Sequence, residues 1–221
     1  GYNALNADDV GSKSTAIGVQ ALLTQNYSTA TDSHNTAVGY HAGLYLTTAT
    51  QNTLIGSETG DAITTGGSNV AVGMKALTTE TEGSTAVAVG YSALEAQNMG
   101  TGTANYNVAV GYKAGEAVTT AVNNTLIGGL SGDAITTGSN NTALGKSSLS
   151  AMTTGDSNVA IGINALASDT LGARNIAIGV GALDTQNFTT ATSVYNVAIG
   201  YDAGTAITTG LGNTLVGGLA G

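Results

Sequence analysis

The sequence is built on a short repeat that recurs at two fixed spacings. A pentapeptide of the form N-[TVI]-[AL]-[VIL]-G recurs along the chain, and two variants at residues 14–18 and 86–90 lack only the Asn. With Gly1 taken as the end of a further copy, the closing glycines, here called anchor glycines, are residues 1, 18, 39, 56, 73, 90, 111, 128, 145, 162, 179, 200 and 217. Successive anchors are 17 or 21 residues apart. A register without a break predicts a single repetitive array over residues 1–221.

The length of the repeat and its apolar pattern predict an all-β fold. Seventeen residues are too few for helix-turn-helix repeats of about 33 residues, and the L-x-x-L-x-L pattern of leucine-rich repeats is missing. The residues one and three before each anchor are aliphatic or Thr, which is the alternation of a β-strand. We therefore predict a parallel β-solenoid (β-roll) of about 13 coils with 17- or 21-residue repeats. At about 4.8 Å per coil it forms a rod on the order of 60 Å long.

Both faces of the predicted strand are apolar. The residue two before the anchor is Ala or Leu, and the anchor itself is Gly. A strand that is apolar on both sides needs cover on both sides, and small residues favour a partner whose backbone approaches closely. We therefore expect several copies of the chain to associate around this strand.

Three further positions of the repeat have structural interpretations. The Asn four before the anchor predicts a ladder of amide side chains from coil to coil. Glycines four after the anchor predict a left-handed turn, although Leu takes this place in other coils; these glycines are Gly43, Gly60, Gly115, Gly132, Gly204 and Gly221. The A-[IVM]-T-T segments at 62–65, 117–120, 134–137 and 206–209 predict a second short strand.

Composition excludes several classes of partner. The formal net charge is −9, and the five Lys and Arg residues are scattered singly, so the chain lacks the basic face that nucleic acid requires. The apolar runs are far shorter than the roughly 20 residues of a membrane span, so no membrane insertion is expected. No Cys is present for disulfides or thiolate metal sites.

Catalytic and metal-binding patterns are not evident. The close acidic pairs, Asp8 with Asp9 and Glu80 with Glu82, lie in turn-like segments, where solvated carboxylates are expected rather than a glycosidase pair. His34 and His41 have no repeated Ser-His-Asp spacing around them, and the calcium-binding repeat of secreted β-rolls is missing. We expect no enzymatic activity and no metal or cofactor.

The three 21-residue repeats resemble one another, and insertions of this kind often carry binding. They contain Q-N-Y, Q-N-M and Q-N-F at residues 25–27, 97–99 and 186–188. The candidate ligand contacts in these repeats are Tyr27, His34, Met99, Tyr106, Phe188 and Tyr195. Aromatic rings stack on sugar faces, which makes a glycan-binding module one alternative function. The same side chains could instead fill the interior of a widened coil.

An ice-binding solenoid is a third possibility, because such proteins also stack Thr on short coils. It needs a flat and uninterrupted T-x-T column. The T-x-T triplets here, at 29–31, 101–103 and 190–192, occur once in four or five coils. The members of pairs such as Thr64 and Thr65 are expected to point to opposite faces, which disfavours this function.

The repeats N-T-A-V-G-Y-H-A-G at 35–43, N-V-A-V-G-Y-K-A-G at 107–115 and N-V-A-I-G-Y-D-A-G at 196–204 resemble a known group. They are similar to repeats of bacteriophage tail fibres and related bacterial surface fibres, and to the shorter head repeats of trimeric autotransporter adhesins. The resemblance implies a homotrimeric shaft, extracellular on a virion or a bacterial surface, that serves attachment to a host or prey cell through a glycan or protein receptor. We expect the chain to be a segment of such a fibre.

Overall fold

The structure, a computed structural model, describes residues 1–100 and 102–221, and strands are its only regular secondary structure within those ranges. Two compact units, Gly1–Asn107 and Val108–Gly221, divide the chain and are described separately. The first contains β1 (Gly11–Ser12), β2 (Thr15–Ile17), β3 (Thr31–Asp32), β4 (Thr36–Val38), β5 (Thr53–Ile55), β6 (Val70–Val72) and β7 (Val87–Val89). The second contains β8 (Val108–Val110), β9 (Thr125–Ile127), β10 (Thr142–Leu144), β11 (Val159–Ile161), β12 (Gly172–Ala173), β13 (Ile176–Ile178), β14 (Thr192–Ser193), β15 (Val197–Ile199) and β16 (Thr214–Val216).

The predicted fold class is confirmed: the chain is an all-β parallel solenoid of about 12 turns, one for each three-residue strand. Gly1, counted as an anchor in the repeat pattern, lies outside the strands. In each unit the strand of one coil pairs in parallel with the strand of the next, for example Thr36 with Thr53. The pairing of Thr15 with Thr36 shows that a 21-residue repeat keeps the same strand register as a 17-residue one. Its four extra residues are therefore accommodated elsewhere in the coil.

The strand faces are oriented differently from the expectation. From β4 to β15 the middle residue of each three-residue strand, Ala or Leu, is buried inside the coil, while the first and third residues point outward. The Ala and Gly face that was expected to receive a partner is thus the inner wall of the solenoid. The backbone that approaches it closely belongs to the next coil. A Cβ on the anchor Gly39 would lie 2.1 Å from the carbonyl oxygen of Gly56, so only glycine fits.

The core side chains at two positions of the repeat are complementary in size. Positions are counted from the anchor glycine, so Leu54 lies at position −2 and Gly60 at position +4 of one coil. Where position −2 is Leu, position +4 is Gly both in that coil and in the one before; Leu54, for example, is flanked by Gly43 and Gly60. Where position −2 is Ala, as in Ala71, position +4 of the same coil is commonly a fully buried Leu, such as Leu77. Steric fit requires this exchange, because a Cβ on Gly60 would come within 2.8 Å of Leu54 Cδ2.

The left-handed turn at position +4 is confirmed for both residue types. Gly43 has φ of 61°, and Leu77 adopts φ of 55° with its side chain fully buried. A left-handed residue other than glycine is unfavourable by roughly 1–2 kcal/mol. Burial of the Leu side chain offsets that cost, since a buried Leu stabilises by roughly 1.5–3 kcal/mol.

The asparagine ladder is also confirmed, with a specific geometry. The Oδ1 atom of Asn35 accepts the backbone N–H of Asn52 at 2.9 Å, and Asn141 Oδ1 accepts that of Asn158 at the same distance. The Nδ2 group crosses the coil instead, as in Asn52, which donates to the carbonyl of Gly66 at 3.0 Å. Each asparagine side chain therefore accepts a hydrogen bond from the next coil and donates one across its own coil.

The prediction of a second strand in the A-[IVM]-T-T segments is wrong. Residues 62–65 form turns and bends, because Gly60 is left-handed and Ile63 points into the core, which leaves no extended stretch. Coils are joined here by isolated hydrogen bonds instead of a strand ladder. Thr64 donates both its N–H, at 2.8 Å, and its Oγ1 hydroxyl, at 3.1 Å, to the carbonyl of Thr81.

Candidate functional site

The outward face of the three-residue strands is a continuous apolar surface within each unit. Its residues, the first and third of each strand and here called the outer sheet face, are Val, Ile, Leu or Thr at every position and include no charge. Several remain well exposed: Ile55 is 39% accessible, Leu144 is 45% and Val216 is 70%. Soluble proteins rarely leave a contiguous apolar surface uncovered, so this face is a candidate contact surface.

Large side chains one residue after the anchor extend this surface. Tyr40, Met74, Tyr91, Tyr112 and Tyr201 are all at least 40% exposed. The ring of Tyr40 stacks on His41, with centroids 3.7 Å apart, and the ammonium of Lys113 lies 5.8 Å from the Tyr112 ring centroid. These contacts orient the rings at one border of the outer sheet face.

Charge is concentrated beyond that border, between positions +2 and +6. Glu58, Asp61, Glu116 and Asp133 lie there, and Lys113 pairs with Glu116 at 2.9 Å. Burial raises the pKa of Asp61 and of Asp133, each of which has a buried Oδ1 without a hydrogen-bond partner. Seven of the 14 acidic residues lie on this side, next to the apolar outer sheet face, a contrast expected when the apolar face meets protein and the acidic side meets water.

The three 21-residue repeats, here called the long coils, share a buried polar pair that sequence reasoning missed. The fully buried Glu80, one coil before the second long coil, accepts the Nε2 group of the fully buried Gln97 at 3.0 Å. Its Oε1 accepts backbone N–H groups of Gly83 at 2.8 Å and Met99 at 3.2 Å. These groups and the backbone N–H of Thr81, at 3.1 Å, are all donors, which satisfies an acceptor-only carboxylate.

The same pair occurs at the other two long coils. Asp8 accepts the Nε2 group of Gln25 at 2.5 Å, and Asp169 accepts that of Gln186 at 2.6 Å. The Oε1 atom of each Gln then accepts the Nδ2 group of a ladder asparagine; Gln186, for example, accepts from Asn196 at 2.7 Å. Acid, glutamine and asparagine thus form one hydrogen-bonded chain that joins each long coil to the coil before it.

The expectation that Asp8 and Glu80 are solvated turn residues is wrong for Glu80, which is fully buried, and for Asp8, which is partly buried and bound to Gln25. A signal was present at position +7. Ordinary coils there carry fully buried apolar residues, Leu46, Ile63, Val118, Ile135 and Met152. An acid at this position followed by Gln one coil later therefore marks each long coil.

The candidate ligand contacts separate into two groups. Tyr27 is 6% exposed and Phe188 is 8%, and Met99 is partly buried, so the first two fill the widened coil rather than face solvent. Burial raises the pKa of Tyr27, whose hydroxyl donates to the carbonyl of Ala49 at 2.5 Å. The second group, His34, Tyr106 and Tyr195, is exposed at position −5, where each adopts a left-handed backbone.

The long coils also form small parallel ladders away from the outer sheet face. β3 pairs with β1, β14 pairs with β12, and Ser84 bridges to Ala104 at the equivalent place. Of the T-x-T triplets, Thr29–Thr31 and Thr190–Thr192 lie in these insertions, and Thr101 of the third lies outside the described residues. Next to the β12/β14 ladder lies a cleft of about 200 Å³. Arg174, Asp156, three hydroxyl-bearing residues and a few apolar residues line it.

The fold and these surfaces define a β-solenoid repeat protein with an apolar outer sheet face and three marked long coils. No family model matches the chain, and no curated protein or solved structure is significantly similar to it. Within the described residues, no helix is long and apolar enough to cross a membrane. No group of three or more His, Cys, Asp or Glu side chains in that part of the chain is arranged to hold a metal ion.

Proposed function

We propose that the protein is the structural, non-enzymatic shaft of a homotrimeric attachment fibre, extracellular on a virion or a bacterial surface, that presents receptor-binding regions to a host or prey cell. The observation that carries this proposal is the outer sheet face, with its row of exposed Val, Ile, Leu and Thr and no charge. The number of copies and the attachment role follow from the resemblance of the repeats to fibre repeats.

The partner best matched to this face is another copy of the same chain. Side chains on the outer sheet face repeat with the coils, at about 4.8 Å. A partner that fills the spaces between them on every coil must have the same period, and an identical solenoid has it. Full burial of an exposed Val, Ile or Leu contributes roughly 1.5–3 kcal/mol, so partly exposed residues contribute a fraction of this at each coil. Summed over many coils, this can exceed an association cost of about 4–15 kcal/mol.

The remaining features suit a spacer. Strand pairing, the asparagine ladder and the Thr hydroxyls join neighbouring coils at several places on their circumference. Such a stack resists bending, because bending must stretch hydrogen bonds on one side. The acidic side between positions +2 and +6 faces solvent in this arrangement and keeps the fibre soluble.

Native mass spectrometry and sedimentation velocity of the purified chain test the proposal. We expect three copies and an elongated particle. Val72→Lys places a charge on the outer sheet face and should shift the chain towards monomers, while Thr65→Lys, on an exposed residue away from that face, should remain trimeric. A monomeric wild-type chain, or a Val72→Lys variant that assembles as well as the wild type, would contradict the proposal.

A further inference from the structure

The third long coil differs from the first in one informative way. In the first, Lys13 at position −5 of the preceding coil pairs with Asp32 at 2.5 Å, and both side chains are more than half exposed. Arg174 occupies the same repeat position before the third long coil, but Ser193 stands where Asp32 does. Arg174 donates to the Ser193 hydroxyl and forms no ion pair among the described residues. Arg174 therefore has no direct ion pair, and a carboxylate, Asp156, lines the same cleft.

The guanidinium is nevertheless held in place. It lies 5.8 Å from the ring centroid of the exposed Tyr195, within the range of a cation–π contact. The hydrogen bond to Ser193 fixes it at the edge of the β12/β14 ladder. A guanidinium carries five N–H donors, so most of them remain directed to the cleft or to solvent.

The cleft beside Arg174 offers complementary groups. Asp156 contributes a carboxylate whose Oδ1 accepts the backbone N–H of Ser139 at 2.6 Å, while its Oδ2 accepts no hydrogen bond from the described residues. Thr154, Thr192 and Ser193, which carry hydroxyl groups, and the apolar residues Leu171, Ala173 and Ala191 also line the cleft. The cleft thus offers a hydrogen-bond acceptor, a donor and apolar side chains. Its volume of about 200 Å³ is below the roughly 300–1,000 Å³ of drug-sized sites, which limits the occupant to one ring.

We propose that this cleft is a subsite for a single neutral hexopyranose unit of a surface polysaccharide. Neighbouring sugar hydroxyls both donate and accept, so one pair satisfies Asp156 and Arg174 together. The apolar C–H face of the ring covers Leu171. A neutral sugar is favoured over a carboxylate-bearing one, because Asp156 and Arg174 together give the cleft no formal net charge, while the chain as a whole carries −9. The inference deepens the proposed function and rests on it for its biological role.

Saturation-transfer NMR with methyl glucoside, galactoside, mannoside and N-acetylneuraminic acid glycoside tests the subsite, since the method detects millimolar binding. We expect transfer to the ring protons of at least one neutral glycoside. Arg174→Asn suits the left-handed backbone of position 174, where φ is 64°, and should weaken binding at least fivefold. Asp156→Asn, which keeps the acceptor for Ser139, should do the same. Lys13→Asn, at the matched position with φ of 62°, should bind as the wild type does.

Sedimentation of the same samples separates this inference from the proposed function. The subsite is overturned, and the shaft is left intact, if the wild type is a trimer that shows no saturation transfer to any neutral glycoside. The same conclusion follows if the trimer shows saturation transfer to the N-acetylneuraminic acid glycoside alone. Undiminished binding by both cleft variants, or equal loss in Lys13→Asn, overturns the assigned location. A monomer that binds a neutral glycoside through Arg174 retains the subsite and overturns the trimeric shaft.

Discussion

The match between position −2 and position +4 of the core predicts a strong energetic coupling between Leu54 and Gly60. Leu54 is fully buried, so Leu54→Ala should destabilise the protein by about 2–5 kcal/mol through lost burial and a cavity. Gly60→Leu should also destabilise, because its Cβ would lie 2.8 Å from Leu54 Cδ2 and 2.9 Å from Ile63 Cδ1. Overpacking of this kind costs about 1–3 kcal/mol, and the left-handed backbone adds roughly 1–2 kcal/mol.

The double variant Leu54→Ala/Gly60→Leu should be far more stable than the sum of the two changes. At positions −2 and +4 it recreates the arrangement of the next coil, in which Ala71 and Leu77 are both fully buried. The introduced Leu occupies the space that Leu54 vacates, so the coupling free energy should reach about 1–3 kcal/mol. The remaining deficit should be close to the cost of the left-handed backbone plus that of moving Ile63, whose Cδ1 lies 2.9 Å from the Cβ site of residue 60.

Urea unfolding followed by circular dichroism measures the cycle, at one protein concentration because self-association shifts apparent stability. Leu54→Ala/Gly132→Leu provides the matched control. Gly132 has the same environment, with a Cβ site 2.8 Å from Leu126 Cδ2, but it shares no core partner with Leu54. The control pair should be additive within about 0.5 kcal/mol. Additivity in the Leu54 and Gly60 pair would refute the size-matching explanation.

Two further predictions concern single positions. Burial raises the pKa of Asp133 in the folded state, so ionisation of this carboxyl at neutral pH lowers the stability of the fold. The lost stability is recovered as pH falls below the unfolded pKa of about 3.8. Asp133→Asn should therefore stabilise the protein at pH 7 and have little effect near pH 3, as measured by urea midpoints across this range. At the anchor, Gly145→Ala places a Cβ 2.5 Å from the Gly162 carbonyl oxygen at φ of 141° and should destabilise by about 3 kcal/mol or more, whereas Gly129→Ala, with open space around its Cβ, should change the melting temperature little. Similar midpoints for Asp133→Asn and wild type at pH 7, or tolerance of Gly145→Ala, would contradict these explanations.

The period of the sequence was sufficient to predict the solenoid, because a strand of fixed composition that returns every 17 or 21 residues has few other ways to pair. The direction of each face was not predictable in the same way. Val38 and Ala37 are both apolar, and alternation alone cannot say which one lies inside a coil. The size of the coil decides: its interior already contains the side chains of positions +4 and +7, such as Leu77 and Ile63, so only Ala or one compensated Leu fits at position −2.

The long coils show a similar division. Their existence followed from the 21-residue spacing, and Tyr27 and Phe188 were recognisable as either ligand contacts or filling residues. To choose between these two roles, one must know how deeply the two side chains are buried, which the repeat spacing does not reveal. Glu80 was misread because acids are usually solvated; only comparison of position +7 with Ile63 and its equivalents reveals a carboxylate in a core column. The cleft beside Arg174 depends on how two coils overlap and had no signal in the sequence.

The special features of the coils occur in a fixed order, which predicts where the array tolerates shortening. A coil with an acid at position +7 is followed by a long coil, then by one with Tyr at +1 and Gly at +4, then by one with Leu at −2. The coil that contains Ala143 and Leu149 has none of these features and is additional to the order. Its removal leaves the neighbouring pairs unchanged.

Deletion of residues 146–162 should therefore preserve each acid and glutamine pair and each pairing of positions −2 and +4. Asp169 still precedes Gln186 by one coil, and Ile135 takes the place of Met152 at position +7 of the coil before Asp169. Deletion of 163–179 removes the same number of residues but places Met152 opposite Gln186, whose buried Nε2 group then loses its acceptor, while the N–H of Phe188 loses Asp169. Each unpaired buried group costs about 1–3 kcal/mol, so the second variant should be less stable by at least that amount. Both variants lose one coil, so a comparison of their urea midpoints at one protein concentration isolates the acid and glutamine pair. Equal stability of the two would show that the pair does not determine the order of the coils.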